Sequence, residues 1–247
     1  MSNRNESLLR ITRGAGVAIV IALAVLAPAY AQETTVTGRV DVTNQNKKAP
    51  EGNSNVVVWL TPLGRSLEPA LPKQHLRLTQ KNKSFNPHIL VVTVGSVVEF
   101  PNDDPFFHNV FSLFEGKRFD LGLYEAGGTR LVRFDRPGIC YIFCNIHPEM
   151  SAVVVVLNTP FYAVSDHDGQ VTIGNVPPGR YTLHTWHEGS NEEDLKSLAR
   201  EITISGSRHS FGTLHLPPTS TVRLAHKNKY GRDYDNPTPA NPAYERP

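Results

Sequence analysis

The stretch CYIFCNIHPEM, residues 140–150, decides how the whole chain is read. It holds both cysteines of the protein, Cys140 and Cys144, together with His147 and Met150, one of only two methionines. Three readings compete: a disulfide, a metal site, or a strand end with unrelated polar residues. GICYIFC is rich in the β-branched and aromatic residues that favour strand over helix. On a strand, residues four apart share a face but stand about 13 Å apart, whereas a disulfide needs Cα atoms within about 7 Å. An internal bridge is therefore disfavoured, and Cys140 reads as a small buried core residue. Cys144, His147 and Met150 follow C-x2-H-x2-M. A turn stiffened by Pro148 can gather their thiolate, imidazole and thioether on one ion. One more imidazole would complete a His2Cys set with a weak axial thioether, the donor set of copper electron-transfer centres. Zinc accepts Cys and His but gains little from a thioether.

The second imidazole is offered by PNDDPFFHNVFS, residues 101–112. His108 lies 36 residues before Cys144, after a β run, and a sandwich can lay two such strand ends side by side. Asn109 follows it directly. Its amide is expected to hydrogen-bond to the backbone near Cys144 and tie the two ligand loops together, the kind of outer contact that orients metal ligands.

Away from this cluster the chain reads as β almost throughout. TTVTGRVDVT, NVVVWLTP, ILVVTVGSVVEF, TRLVRF, ICYIFC, SAVVVVLN, QVTIGNV, RYTLHTW and EITISG alternate with turn-rich stretches such as PNDDP, DHDG and PPG. Many short strands at this spacing point to sandwiches or barrels. One helix is expected, NEEDLKSLAR over 191–200, with acids early and Arg200 late. His184 and His187 stand three apart, on opposite faces of a strand, and read with Trp186 as sandwich core and edge. The basic KNKYGR, 227–232, reads as solvated tail.

Residues 1–31 carry Arg10 and Arg13, an apolar run, and Ala29-Tyr30-Ala31. That order reads as a cleaved secretory signal, and its apolar core is short for a span of about 20 residues. Removing it leaves 216 residues with 22 basic and 22 acidic side chains. Such a balance offers nothing to nucleic acid. A periplasmic chain with no stable membrane insertion after cleavage is expected.

Two family resemblances follow. VGSVVEFPND at 94–103, His108-Asn109-Val110, Gly138 and the C-x2-H-x2-M run together resemble the blue copper proteins, or cupredoxins, with a short Cys-to-Met loop similar to that of amicyanin. Asp166-His167-Asp168-Gly169 and VPPGRY at 176–181 resemble the carboxypeptidase-regulatory or transthyretin-like β-sandwich. The combination is similar to exported plastocyanin-like proteins of the methylamine-utilisation type. The resemblance implies an all-β fold: a Greek-key cupredoxin sandwich plus a second small sandwich that the first interrupts. Its boundaries would be 1–31 signal, 33–66 first strands of the regulatory-like sandwich, 67–157 cupredoxin domain, 158–216 the remainder, and 217–247 a polar, Pro-rich tail or lid. Three consecutive pieces are the alternative.

The cupredoxin resemblance implies one type 1 copper ion held by His108, Cys144, His147 and Met150, with Asn109 as the loop-tying amide. It also implies electron exchange through the edge of His147 with a redox partner, a cytochrome or dehydrogenase, docked on Phe106, Phe107, Ile146 and Pro148. A copper oxidase would need H-x-H pairs or a histidine beside the cysteine. The chain has no H-x-H, and Cys144 is flanked by Phe143 and Asn145, so no enzyme is expected. A copper carrier or store, or a structural exported sandwich, remain as other readings of the same residues.

Overall fold

The computed structural model describes residues 33–44, 47–48, 52–64, 76–113, 116–216 and 227–234. The expected signal at 1–31, residues 65–75 at the start of the expected copper-binding domain, and the tail outside 227–234 lie outside the described residues. In chain order the elements are β1 (Thr34–Asn44), β2 (Lys47–Lys48), β3 (Val57–Pro62), β4 (Leu76–Arg77), β5 (Thr79–Lys81), β6 (Ser84–Asn86), β7 (Ile89–Thr93), β8 (Val97–Pro101) and β9 (His108–Ser112). They continue as β10 (Phe119–Tyr124), β11 (Thr129–Arg133), β12 (Gly138–Phe143), β13 (Ser151–Leu157), β14 (Tyr162–Val164), β15 (Gln170–Val176), β16 (Gly179–Trp186), α1 (Glu192–Ser197), β17 (Arg200–Ile204) and β18 (Arg208–Leu216). Among the described residues the protein is all-β apart from the short α1. No helix among the described residues is long and apolar enough to cross a membrane.

The early strands β1 and β3 take their long-range partners from the end of the chain. β1 runs antiparallel to β15 and parallel to β18, and β3 lies between β14 and β16, with β17 outside β16. Alternate residues of these strands turn inward, as the two-residue period of a strand requires. Val36, Val40 and Val42 of β1 share a core with Val58, Leu60, Ile173, Tyr181, Leu183 and Phe211. Gly38 falls on the same inward face, and a methyl group there would overlap the ring of Phe211. Gly38→Ala is therefore expected to overpack this core at a cost of about 1–3 kcal/mol. That lowers the thermal midpoint by about 3–10 °C for a chain of this size. An unchanged midpoint in a melt followed by circular dichroism would show that Phe211 does not sit on Gly38.

A second group of strands lies between β3 and β14 in sequence. One sheet has the order β10-β9-β12-β13-β7, and another β11-β8-β4, with β5 and β6 forming a small hairpin. β13 is buried on both faces. Val153, Val155 and Leu157 join the core shared with β1 and β3, whereas Ala152, Val154 and Val156 face a second core with Val98, Phe100, Phe134, Cys140 and Ile142. Two covered faces explain why SAVVVVLN is an unbroken apolar run rather than an alternating one.

Three expectations are corrected. ILVVTVGSVVEF is two strands, not one: Gly95 at φ 91° and the Ser96 N–H bond to Thr93 O turn the chain, sending β7 and β8 to different sheets. The helix stops at Ser197, because Arg200 already opens β17. Asn191 caps it, accepting from the Asp194 N–H. The 227–232 stretch is not free in solvent but bonded to Asn145 and Asp120 through Lys229.

Candidate metal centre

His108 opens β9, and Cys144 follows the last residue of β12. The two strands are neighbours, with Phe143 opposite Phe111, so both side chains arrive at one end of the sheet. Beyond Cys144 the chain turns back at once. The Cys144 N–H donates to Met150 O at 3.3 Å and the Met150 N–H to His147 O at 3.1 Å, closing a loop with Pro148 on its outer side. This turn brings His147 over Cys144.

The result is one cluster. Cys144 Sγ stands 3.7 Å from His108 Nδ1 and 3.6 Å from His147 Nδ1. One donor atom from each of the three residues lies within 4.8 Å of the others, and it is the only such group among the described residues. His108 and Cys144 are fully buried, and His147 is 9% exposed. Phe106 packs against both imidazoles, its ring centroid 5.2 Å from that of His108 and 5.7 Å from that of His147. Phe107 and Pro148 are exposed and Ile146 is half-buried. Met150 is wholly buried in the same apolar cluster as Cys144.

The proton inventory shows what the cluster is suited to hold. His108 Nε2 faces Asp104 Oδ2 at 2.8 Å. A carboxylate only accepts, so Nε2 carries the hydrogen and Nδ1 offers a lone pair to the sulfur side. Asp104 keeps this role because its pKa is low: burial pushes it up, but the N–H groups of Lys83 and Asn82 and the His108 bond outweigh that. Burial lowers His108, with Asp104 partly opposing. Burial and the neighbouring His108 push His147 down to about 4, so it is neutral near neutral pH. Burial raises the Cys144 thiol, while the backbone N–H groups of Asn109, Ile146 and His147 hydrogen-bond the sulfur and pull the other way.

Two ring nitrogens converge on one sulfur, and His108 Nδ1 and the sulfur both have lone pairs to offer a cation placed between them. A first-row ion bonded at about 2.3 Å to thiolate and about 2.0 Å to imidazole, at angles of about 110–120°, separates those donors by about 3.5–3.7 Å. The two sulfur–nitrogen distances match such an ion.

Other sequence-derived assignments can now be placed. Cys140 and Cys144 are both free thiols. Cys140 is buried in the core, its pKa raised to about 11 by burial. The Asn109 side chain donates to Asp120 Oδ1 at 2.6 Å, while its backbone N–H bonds the Cys144 sulfur. His184 stacks on Trp59 at 5.1 Å and is not part of the cluster.

Asp104 was not singled out by sequence. PNDDP reads as a turn, and the clue was an acid four residues before a candidate ligand. The loop is fixed by Asn102, which accepts from the Asp104 N–H and donates to Phe106 O.

No family model and no curated protein matches the sequence. Among solved structures, a Cu-containing nitrite reductase (NirK) from Thermus scotoductus SA-01 matches at 24% identity and a TM-score of 0.34, over 40% of this chain and 26% of that one. A purple cupredoxin from Nitrosopumilus maritimus matches at 23% identity and 0.31, over 33% and 99%. A mutant of amicyanin in the Cu(I) form matches at 18% identity and 0.33, over 40% and 98%. This chain thus spans about a quarter of the nitrite reductase. At such identities and scores, the functional reading rests on the geometry of the site.

Proposed function

We propose that the chain is a type 1 copper protein that passes single electrons between redox partners. The observation that carries this reading is the buried thiol flanked by two imidazole Nδ1 atoms at 3.6 and 3.7 Å. His108, Cys144 and His147 would hold the ion, and the Met150 thioether would be its weak axial donor. When bound, copper supplies a one-electron couple.

The chain supplies the rest. Asp104 fixes which nitrogen His108 presents. Three backbone N–H groups stabilise charge on the Cys144 sulfur, contacts that tune the potential of such sites. The core around Cys144, with Phe100, Tyr124, Ile142 and Met150, keeps water out. His147 is the one proposed ligand that reaches the surface, and its edge is the proposed electron port. Phe106, Phe107, Ile146 and Pro148 surround it as a docking face for a cytochrome or dehydrogenase. Cys144, His108 and Asp104 also form a thiol–imidazole–carboxylate chain, but the thiol is fully buried; we assign these groups to holding the ion and no reaction to this chain alone.

The wider organisation is also a proposal: export to the periplasm after removal of residues 1–31, and a copper-binding domain over 67–157 inserted into a sandwich made of 33–66 and 158–216. The inserted arrangement is supported by the pairing of β1 and β3 with strands from 162 onward, and the export by the order of basic, apolar and small residues in 1–31.

The test is reconstitution of the full-length mature chain with Cu(II), read by optical and electron paramagnetic resonance spectra. An intense visible sulfur-to-copper band with narrow copper hyperfine splitting is expected. A colourless protein that binds only Cu(I) and exchanges it rapidly would favour a carrier and overturn the relay.

A further inference from the structure

Part of the C-terminal stretch, residues 227–234, lies directly on the ligand loop. The Lys229 N–H donates to Asn145 Oδ1 at 2.9 Å. The Tyr234 hydroxyl donates to the carbonyl oxygen of Cys144 at 2.7 Å. Lys229 Nζ reaches Asp120 Oδ2 at 2.7 Å, and the other oxygen of Asp120 accepts from Asn109 Nδ2. Asn109 follows His108 in sequence, and Asn145 follows Cys144. A continuous hydrogen-bonded path therefore runs from the residue after one proposed ligand to the residue after another, with Lys229 as its link from the tail.

We propose that Lys229 and Tyr234 are positioning residues of the metal centre, clamping the Cys144–Met150 loop to β9 and β10 so that the thiol stays against His108. The clamp rests on the metal reading of the site given above. It is itself stiff. Asn228 accepts on Oδ1 from the Tyr230 and Arg232 N–H groups at 3.0 and 3.1 Å, and its own N–H donates to Arg232 O at 2.8 Å. The segment is thus folded as a turn around Asn228 rather than draped over the surface. Its two contacts to the loop are placed differently. One takes the side chain of Asn145, and the other takes the backbone carbonyl of the cysteine. Together they fix both the position and the rotation of the peptide that follows Cys144. A bond from the Asn109 side-chain amide to the backbone of this loop would do the same. Here that amide is committed to Asp120, and the tail completes the connection.

The experiment compares full-chain Tyr234→Phe, Lys229→Met and Lys229→Arg with the parent, without metal and with Cu(II). Without metal, backbone hydrogen exchange is followed in 144–150 and 228–232. Loss of one net hydrogen bond predicts exchange about two- to tenfold faster. Tyr234→Phe and Lys229→Met are expected to speed exchange in both segments together, with Lys229→Arg close to the parent because it keeps a cation for Asp120. With copper, release to a chelator is expected to accelerate in the same order and the reduction potential to shift. Two results would overturn the clamp: 228–232 unprotected in the parent already, or 228–232 opening in the variants while 144–150 keeps its protection. Failure of the parent to take up copper would instead sink the metal reading, and the exchange data would still decide the clamp.

Discussion

Replacing Cys144 by serine is expected to abolish the visible sulfur-to-copper band, not merely weaken it. The band requires a thiolate on the ion, and Cys144 Sγ is the atom that both imidazole nitrogens face. A serine hydroxyl keeps the size of the side chain but is a hard donor that stays protonated near neutrality. The soft site loses its strongest ligand. Cys140→Ser is the matching control. Cys140 lies in the core next to Gly116, its thiol kept protonated by burial, and it is not part of the His108–Cys144–His147 cluster. Its replacement should leave the band in place. Titration of both variants with Cu(II), with circular dichroism to confirm the fold, makes the comparison. A Cys144→Ser protein that kept the band would remove this thiol from the site.

The second large effect is expected at Asp104. Asp104→Ala takes the acceptor from His108 Nε2–H and also from the Asn82 and Lys83 N–H groups, at 2.8, 2.6 and 3.0 Å. Outer contacts of this kind typically change metal affinity by about 10–100-fold, and a loss in that range is expected in a competition titration against a chelator. Asp104→Asn keeps one acceptor and the shape of the side chain, so it should fall between. The nitrogen chemical shifts of His108 in the metal-free protein give an independent reading. The hydrogen should sit on Nε2 in the parent and become mobile between the two nitrogens in Asp104→Ala. Equal affinities for parent and Asp104→Ala would show that the carboxylate does not orient the ligand.

The contrast between these residues shows what could be read in the sequence. His108, Cys144 and His147 were legible because their side-chain types are scarce and chemically specific, and because strand ends bring such residues together by simple periodicity. The partners that hold them were not. Asp104 lies in a run of turn-forming residues that looks solvated, yet it is 5% exposed. Lys229 and Tyr234 lie 84 and 90 residues beyond the Asn145 and Cys144 they contact, in a stretch too polar to suggest docking. A basic tail gives no local sign that one lysine will meet Asp120. Asn109 was recognised as a linking amide, but its bond goes to Asp120, a residue on a strand that sequence did not mark. That strand, β10, carries Gly122 and Asp120 and breaks the apolar pattern. β18 is hidden for a similar reason, since RHSFGTLHL mixes polar residues and glycine and is held by its parallel pairing with β1. The double burial of β13 was written in SAVVVVLN, but an unbroken apolar run does not say which two cores will cover it.

Extended X-ray absorption at the copper edge of the reconstituted chain tests most directly whether these three side chains share one ion. The expected first shell is one sulfur at short distance and two imidazole nitrogens, with the short sulfur lost in Cys144→Ser. A shell of nitrogen and oxygen alone, identical in the parent and in that variant, would contradict a copper centre built on Cys144.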